Sequence, residues 1–459
     1  MAQKEVNVSR AHELPMPPLP ATWLPFWKEV IAARGNTIAA WPAAAFEADV
    51  IRRRVLLRER LIVNSPEHIR RVLIENVGNY RRSKLFARIV EPVIGAGGMM
   101  LAEGDEWRHQ RRATSSFYAP SNTPALAGMI MRHTARMLER WGQIENGDTL
   151  DISKEMARIT LGVGAELIFA QDDAEGLDDI AQSVAEYDAR VRPTLGDLLG
   201  LPNWISRHRF THVRRLARRV QAPIARLVAQ RTNSAEGGDL MSAIAAPREA
   251  GQVCDERSIT DQAMTLLLGG HIPTCAALTW VFYLLARHPH ERERFEAELD
   301  EVLGGRLPDH ADIPKLSFTK QAIEEALRLY PPVHIIPRVA LDADRLGEHS
   351  VPKGAMIVIS PWLLHRNPRL WDHPSRFMPE RFSEANAASR SRYTYLPFGL
   401  GPRTCIGGHL AMTEMLLVVA SVGQSWRLDV ANDDTVEPVA LVSLRPRNGL
   451  KLRFTRRLR

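Results

Sequence analysis

The order of apolar and polar residues along the chain predicts a mainly helical protein. Apolar residues recur at helical spacing in the segments 104–116, 124–141, 151–169, 178–191, 212–231, 259–287, 289–303, 319–330 and 405–423. Short apolar runs predict strands at 340–349, 356–360 and 441–454, and a hairpin over 50–63 that turns around 58–60. Ser65 followed by Pro66 predicts another helix start. With no repeat or low-complexity linker between these elements, we expect a polar, proline-rich tail over 1–20 and a single domain over 21–459.

One segment is apolar enough to raise the question of a membrane span. Residues 263–286 contain no charged side chain, and a helix of this length could cross a bilayer. Gly269, Gly270 and Pro273 interrupt the segment, and no second candidate span accompanies it. A helix that is apolar on all sides is also typical of the buried axis of a large protein. We therefore predict a core helix.

Composition places the chain among ordinary globular proteins. It has 459 residues, 45% hydrophobic and 25% charged, and only three cysteines, too few for a disulfide framework. The first twenty residues hold no apolar stretch of signal or anchor length, so we expect no membrane anchor and a cytoplasmic location. A net charge of +7 without a nucleic-acid-binding motif argues against nucleic acid and favours a basic face for an acidic partner.

The residues most informative about chemistry lie between Phe398 and Gly407. Cys405 stands between glycines and two residues after Arg403, at the start of a predicted helix. Unpaired N–H groups at a helix N-terminus favour a thiolate, which is the form of cysteine that binds metals. Gly401 and Gly407 allow the backbone to approach a flat ligand closely, and Arg403 suits a carboxylate. Taken alone, a lone cysteine in a glycine-rich turn is also compatible with a buried structural residue.

This stretch resembles the haem-ligand loop of the cytochrome P450 family, Phe-x-x-Gly-x-Arg-x-Cys-x-Gly, with every fixed position filled. The resemblance implies the cytochrome P450 fold, mainly α with a small β part, and haem b as cofactor with Cys405 as the iron ligand. Further stretches match the family in order. They imply haem contacts from Trp107, Arg111, Arg338, Phe398, Arg403 and Gly407, and a buried structural triad of Glu325, Arg328 and Arg381.

The central helix departs from the family pattern. Family monooxygenases usually carry Ala/Gly-Gly-x-Asp/Glu-Thr over the iron, where this chain has Gly269, Gly270, His271, Ile272 and Pro273. The acid and the alcohol that relay protons are therefore replaced by Ile272 and Pro273, neither of which can donate a proton. Thr274 lies one residue further, about 100° around the helix, and faces the iron only if a π-bulge turns it inward. His271 is expected to face away from the iron.

These replacements leave several chemistries open. The first is a monooxygenase that oxidises an apolar small molecule, with the substrate's own polar group helping to deliver protons. The alternatives are a peroxygenase that uses hydrogen peroxide, a haem-catalysed rearrangement without hydroxylation, and a haem-thiolate ligand sensor without turnover. The expected pocket is apolar and draws on 85–101, 266–273, 333–336 and 442–444, with Leu266, Val333, Ile335, Ile336 and Val442 as lining residues.

Two basic helix faces were considered as binding surfaces. Arg108 and Arg112 follow Trp107 and are expected to face outward on the proximal side, where an acidic ferredoxin-type redox partner would dock. Arg214, Arg215, Arg218 and Arg219 form a second basic stripe, which we interpret as a solvated helix face rather than a lipid contact.

Overall fold

Helices dominate the structure, a computed structural model that describes residues 14–55, 58–170, 177–191, 207–232, 239–246, 255–431 and 436–457. The longer helices are α1 Phe26–Gly35, α2 Lys84–Ile94, α3 Gly104–Ser115, α4 Thr123–Trp141, α5 Ile152–Phe169, α6 Leu177–Arg190, α7 Arg207–Thr232, α8 Glu256–Arg287, α9 Pro289–Leu303, α10 Ser317–Leu329 and α11 Gly408–Ser425. Shorter helical segments occur at Pro66–Arg70, Leu240–Ala245, Pro361–Leu364 and Glu384–Ala387.

The strands form a minor part of the fold. They are β1 Val50–Val55, β2 Arg58–Val63, β3 Tyr80–Arg82, β4 Thr149–Asp151, β5 Ile336–Ala340, β6 Asp344–Leu346, β7 His349–Val351, β8 Met356–Ile359, β9 Trp426–Val430, β10 Pro438–Ala440, β11 Leu444–Pro446 and β12 Lys451–Arg456. The largest sheet has the order β1-β2-β8-β5-β3, with β2 and β8 parallel and its other pairs antiparallel. The prediction of a mainly α fold with a small β part is confirmed.

Helix α8 forms the axis of the molecule. Its stretch from Asp261 to Leu268 is buried without interruption, and so is the stretch from Ala276 to Ala286. Among the described residues it is the one helix long and apolar enough to cross a membrane, and 72% of its most apolar window is buried inside the protein. Trp280 stacks on Tyr330 of the α10 C-terminus at 3.9 Å and donates its ring N–H to the Leu444 carbonyl at 3.0 Å. The helix therefore organises the core around it.

Several local expectations need correction. Arg58 pairs with Val55 in the hairpin, so residues 58–60 belong to β2 and not to the turn. Ser65 precedes a helix but makes no capping hydrogen bond from its side chain. The helix after the cysteine begins at Gly408, three residues later than predicted. Helices α1 and α2 were not predicted: the helical periodicity of α1 is weak, whereas α2 is clearly amphipathic although it contains Pro92.

The N-terminal segment and the cysteines can be placed only in part. Leu14, Met16 and Leu19 pack against the main core, and the Pro15 carbonyl accepts a hydrogen bond from the Tyr330 hydroxyl at 3.0 Å. Residues 1–13 of the expected tail and Cys254 lie outside the described residues. The two described cysteines, Cys275 and Cys405, are free thiols.

Candidate functional site

The loop before α11 presents the Cys405 side chain in an open position. Cys405 is exposed, and its backbone N–H donates to the Phe398 carbonyl at 2.8 Å, which closes the loop. Gly401 has φ of +75°, and a Cβ there would lie 2.1 Å from the Leu73 carbonyl oxygen, so this turn requires glycine. Gly407 has φ of −87° and meets the Tyr118 ring only at ordinary contact distance. The expectation of a special glycine turn therefore applies to Gly401 and not to Gly407.

The Cys405 residue is exposed, yet protein atoms around the thiol still reduce its solvation. Burial raises the pKa of the Cys405 thiol, while the Gly407 N–H and the charge of Arg111 lower it and only partly compensate. Arg111 also donates to the carbonyl of Thr404 at 2.7 Å, next to the cysteine. The loop thus favours a thiolate only in part, and a metal cation bound to Cys405 would supply further stabilisation.

Three arginines from separate elements meet near this loop. Arg82 on β3 and Arg338 on β5 lie directly opposite each other in the sheet, and Arg403 belongs to the cysteine loop. Burial, together with the positive charge of neighbouring arginines, lowers the pKa of Arg82 to about 9 and that of Arg338 to about 10. Arg82 was not identified from the sequence, since nothing distinguishes it from its exposed neighbour Arg81.

This arginine cluster fits an anionic ligand. Like charges directly opposite on paired strands destabilise a sheet, and the Arg82 Nε is buried without a hydrogen-bond partner. The carboxylates of a cofactor would neutralise the repulsion between the two arginines and would accept a hydrogen bond from Arg82 Nε. The site therefore fits haem b: the exposed Cys405 side chain could bind its iron, and the arginines could bind its carboxyl groups.

The other predicted haem contacts have protein partners. Arg403 donates to the Ala102 carbonyl at 2.8 Å and to the Glu103 carboxylate at 2.6 Å, and its guanidinium lies 4.2 Å from the centre of the Trp107 ring. Phe398 is partly buried and packs against the main core. Trp107 and Arg403 thus form one unit beside the cysteine loop.

The three residues of the predicted triad lie together. Arg328 donates from Nε and Nη2 to the two carboxylate oxygens of Glu325 at 2.6 and 2.7 Å, and Arg381 Nε lies 3.3 Å from the same carboxylate. Arg328 also donates to the carbonyls of His365, Pro374 and Arg376. The network joins α10 to the loop that precedes the cysteine segment.

The central helix remains α-helical through Pro273. Gly270 is exposed although the helix around it is buried, and a Cβ built there would meet no atom within 4 Å. A Cβ at Gly269 would meet only the terminal methyl of Met100, at 3.7 Å. Pro273 has no N–H, so it cannot donate to the Gly269 carbonyl four residues earlier. The helix therefore presents an open glycine surface and a carbonyl without its helical donor.

Three residues next to these glycines have different environments. Ile272 is partly buried against the core, and Thr274 is 4% exposed. The helix contains no π-bulge at this point, so Thr274 is not turned toward the open side. His271 is buried, and its Nδ1 lies 2.8 Å from the hydroxyl of Thr160 on α5, which places it on the side of the helix that faces α5.

The loop before α3 forms one side of the expected pocket. The Gly97 N–H donates to Asp261 at 2.9 Å and the Met99 N–H donates to Gln262 at 2.7 Å, so the loop is tied to the start of α8. A Cβ at Gly98 would lie 1.9 Å from the Thr265 hydroxyl. These hydrogen bonds bring Met100 beside Gly269. Neither Asp261 nor Gln262 was identified from the sequence.

The remaining pocket residues converge from the C-terminal hairpin and the segment after α10. The Leu444 N–H donates to the Pro332 carbonyl at 3.0 Å, which joins the turn that carries Val442 to the segment that carries Val333. Val333 is 44% exposed, Ile335 packs partly buried against the main core, and Leu266 of α8 is 7% exposed. Ile336 belongs to β5 and contacts the smaller core beneath the sheet.

The two basic helix faces differ in their partners. On α3, Arg108 pairs with Asp105 and stays largely exposed, and Arg112 is exposed as well. On α7, Leu216, Val220 and Ile224 are buried on the side opposite the arginines, and Arg219 lies 3.4 Å from Glu186 of α6.

Comparisons with known proteins agree with this geometry. A sequence model of the family Cytochrome P450 matches residues 17–454. Cyclooctatin synthase of Streptomyces melanosporofaciens is 32% identical over 425 residues, which cover 90% of this chain and 88% of that protein. Cyclooctat-9-en-7-ol 5-monooxygenase of the same organism is 32% identical over 409 residues, covering 86% and 87%. Pentalenene oxygenase of Streptomyces avermitilis is 30% identical over 415 residues, covering 89% and 90%.

Proposed function

Because this chain belongs to the cytochrome P450 family, we propose that it oxidises a largely hydrocarbon small molecule and obtains protons by a route other than an acid–alcohol pair. The chain is a cytochrome P450 monooxygenase with haem b as cofactor. Relatives named as oxygenases favour this function over the peroxygenase and ligand-sensor alternatives. The observation that carries the proposal is the pairing of an open Gly269–Gly270 surface with Ile272 and Pro273.

The cofactor would be held by residues of several elements. Cys405 is the iron ligand, Arg82 and Arg338 take the propionates together with Arg403, and Trp107 supports the Arg403 guanidinium. Haem b on a thiolate supplies the oxidising chemistry, because the thiolate pushes electron density toward O–O cleavage. Replacing Cys405 with alanine should abolish the thiolate-type spectrum of the reduced carbon monoxide complex. A retained thiolate-type spectrum in that variant would refute this ligand assignment.

The proposed substrate class follows from Met100, which lies beside Gly269, and from the lining residues predicted for the pocket. Met100, Leu266, Ile335 and Val442 offer no charge, so a substrate would bind mainly by burial of its hydrocarbon surface. By their names, two relatives act on a hydrocarbon, pentalenene, and on a hydrocarbon alcohol, cyclooctat-9-en-7-ol. We expect a spin-state titration to respond to cyclic hydrocarbons and their mono-alcohols more strongly than to fatty acids of equal carbon number. A stronger response to the fatty acids would contradict the assignment.

Proton delivery is assigned to a hydroxyl group of the substrate. The Gly269 carbonyl lacks its helical donor because residue 273 is proline, so it can accept a hydrogen bond from such a hydroxyl and hold it beside the open glycine surface. Ile272 contributes no proton and excludes water from that side. The hydroxyl in the name of one relative's substrate is consistent with this role.

Coupling of electrons to product tests this assignment. With a cyclic alcohol as substrate, the wild-type enzyme should use most of the electrons that it receives to form product. With the parent hydrocarbon, this fraction should be low. Pro273→Ala restores the N–H donor to Gly269 and should reduce coupling with the alcohol, whereas Ile272→Glu/Pro273→Thr should remove the difference between the two substrates. Equal coupling of both substrates by the wild-type enzyme would show that protons arrive by another route.

A ferredoxin-type partner is proposed to dock on the exposed arginines of α3. Arg108 and Arg112 offer positive charge beside the cysteine loop, and charge complementarity mainly accelerates association. Arg112→Glu should lower the rate of reduction by ferredoxin at low salt and leave reduction by dithionite unchanged. Arg34→Glu on α1 makes the same charge change elsewhere and serves as the control. An equal effect of both substitutions would place the docking surface elsewhere.

The location and domain organisation are proposed from the sequence. Free Cys275 and Cys405 fit a reducing cytoplasm. We assign residues 21–459 to one catalytic domain, against which Leu14, Met16 and Leu19 of the expected tail over 1–20 are packed. Limited proteolysis of the haem-loaded protein should therefore remove residues near the N-terminus before it cleaves elsewhere.

A further inference from the structure

Glu103 stands at the start of α3 in a position where a side chain usually caps the helix. Its side chain makes no capping hydrogen bond, although N-cap residues normally accept from the first turn. The carboxylate turns instead to the arginine cluster and accepts from Arg403 Nη2 at 2.6 Å and from the Arg82 backbone N–H at 3.4 Å. Glu103 therefore interacts with the arginine cluster and does not cap the helix.

The charge of Glu103 acts on all three arginines of the cluster. Burial lowers the pKa of Arg82, Arg338 and Arg403, and the Glu103 carboxylate raises each of them. The three guanidiniums come from β3, β5 and the cysteine loop, so the carboxylate lies where these elements meet. The Arg403 side chain is 12% exposed and the Glu103 side chain is 38% exposed, so solvent screens their pair only in part.

A count of charges shows what the cluster is suited to hold. Arg82, Arg338 and Arg403 carry three positive charges, and subtracting the negative charge of Glu103 leaves two. Arg111 is counted separately because it lies beside Cys405, whose thiolate would balance its charge. Buried charge without a counterion is costly, so the site should bind a ligand with two negative charges. The two propionates of haem b carry that charge. Without Glu103 the site would hold one positive charge more than the cofactor balances.

We propose that Glu103 is a positioning residue that sets the charge of the propionate site, holding Arg403 in place and reducing the three-arginine cluster to the charge that balances haem b. The inference rests on the haem placement described under the proposed function. It deepens that function because the field at the haem helps to set the reduction potential. Added positive charge stabilises the reduced haem, which carries one electron more, and so raises the potential.

The test is a charge-compensation cycle measured on haem-loaded protein. Glu103→Gln should raise the ferric/ferrous midpoint potential in a spectroelectrochemical titration, and Arg82→Gln should lower it. The double variant Glu103→Gln/Arg82→Gln restores the net charge, so its potential should return close to that of the wild-type protein. Asp105→Asn removes the same charge two residues away, where the side chain is 96% exposed, and should leave the potential unchanged.

Haem transfer to excess apomyoglobin provides a second readout. Arg82→Gln should release haem several-fold faster than the wild-type protein, and the added Glu103→Gln substitution should slow that release. If Glu103→Gln protein is not obtained in folded form, Glu103→Asp keeps the charge, and its potential should match that of the wild-type protein. A changed potential in Glu103→Asp would overturn the charge-based role.

The outcomes separate this inference from the proposed function. A potential in Glu103→Gln equal to that in Asp105→Asn would overturn the role of Glu103, and so would a double variant that departs further than either single variant. Both results would leave haem ligation by Cys405 intact. A wild-type protein without a thiolate-type carbon monoxide spectrum would instead overturn the proposed function.

Discussion

Glu325 receives two hydrogen bonds from Arg328, and both side chains are fully excluded from solvent. The carboxylate also accepts from the Met378 backbone N–H at 3.0 Å, and Arg328 donates to three further carbonyls. The backbone partners of the pair, at His365, Pro374, Arg376 and Met378, all belong to the segment between β8 and the cysteine loop. The pair therefore connects α10 to that segment, and loss of either side chain should destabilise the connection.

Glu325→Ala should destabilise the protein by about 3–5 kcal/mol, because it leaves the Arg328 guanidinium buried without its counterion. The measurement is urea unfolding together with the fraction of protein loaded with haem, both of which should fall. Asp105→Ala breaks an exposed pair of the same i,i+3 spacing and should cost less than about 1 kcal/mol. Similar losses in both variants would mean that the buried pair has no special role.

The sequence predicted this pair and the cysteine loop because their members lie in short continuous stretches. Glu325 and Arg328 share a helix face, and Cys405 lies within ten residues of the other loop positions. Arg82, Arg338 and Glu103 come from three distant segments, and only the pairing of β3 with β5 brings the two arginines opposite each other. Such convergence leaves no local pattern, so Arg82 and Glu103 could not be identified from one sequence. The predicted starts at Gly104 and Pro289 agree with the structure, whereas several others differ by a few residues because capping depends on contacts that periodicity does not encode.

His271 should make the protein sensitive to acid. Thr160 donates its hydroxyl hydrogen to the Met156 carbonyl at 2.8 Å, so it accepts from His271 Nδ1–H, and the imidazole is neutral. Burial lowers the pKa of His271 to about 4. The folded state therefore binds fewer protons than the unfolded state, and the stabilisation is complete above pH 6.5 and decreases as pH falls toward 4. The loss from this residue reaches about 3 kcal/mol.

His271→Asn keeps a donor near Thr160 and removes the titration. The difference in the free energy of unfolding between pH 7.5 and pH 5 should shrink in this variant. His290→Asn changes a largely exposed histidine and should leave that difference unaltered. The assignment fails if the two variants respond to pH alike.

Gly270→Ala should stabilise the protein while weakening ligand binding. Alanine in a helix interior is favoured over glycine by up to about 1 kcal/mol, and a Cβ at this position meets no atom within 4 Å. The same methyl group would occupy the open surface proposed for the substrate, so the Kd for a cyclic hydrocarbon should rise. Gly423→Ala is the contrasting control, because its Cβ would lie 2.4 Å from the Phe295 ring and should destabilise the protein. Unchanged substrate affinity in Gly270→Ala would place the substrate elsewhere.

Gly98→Ala should displace the loop that forms one side of the pocket. Its Cβ would lie 1.9 Å from the Thr265 hydroxyl and 2.6 Å from the Asp261 carbonyl oxygen, and the latter belongs to the backbone of α8 and cannot rotate away. The loop must move outward, which breaks the hydrogen bond from Met99 to Gln262 and withdraws Met100 from Gly269. We expect the Kd in a spin-state titration to rise about tenfold, equivalent to ~1.4 kcal/mol.

Gly78→Ala provides the matched control for this loop. A Cβ there meets no atom within 4 Å, and the residue has no positive φ, so the same chemical change is made without a clash. Its substrate affinity should equal that of the wild-type protein. Haem content should be measured in both variants, because the Ala102 N–H donates to the Gly98 carbonyl and the Ala102 carbonyl accepts from Arg403. A normal Kd in Gly98→Ala would show that this loop does not form part of the pocket, whereas loss of haem would show that it supports the cofactor instead.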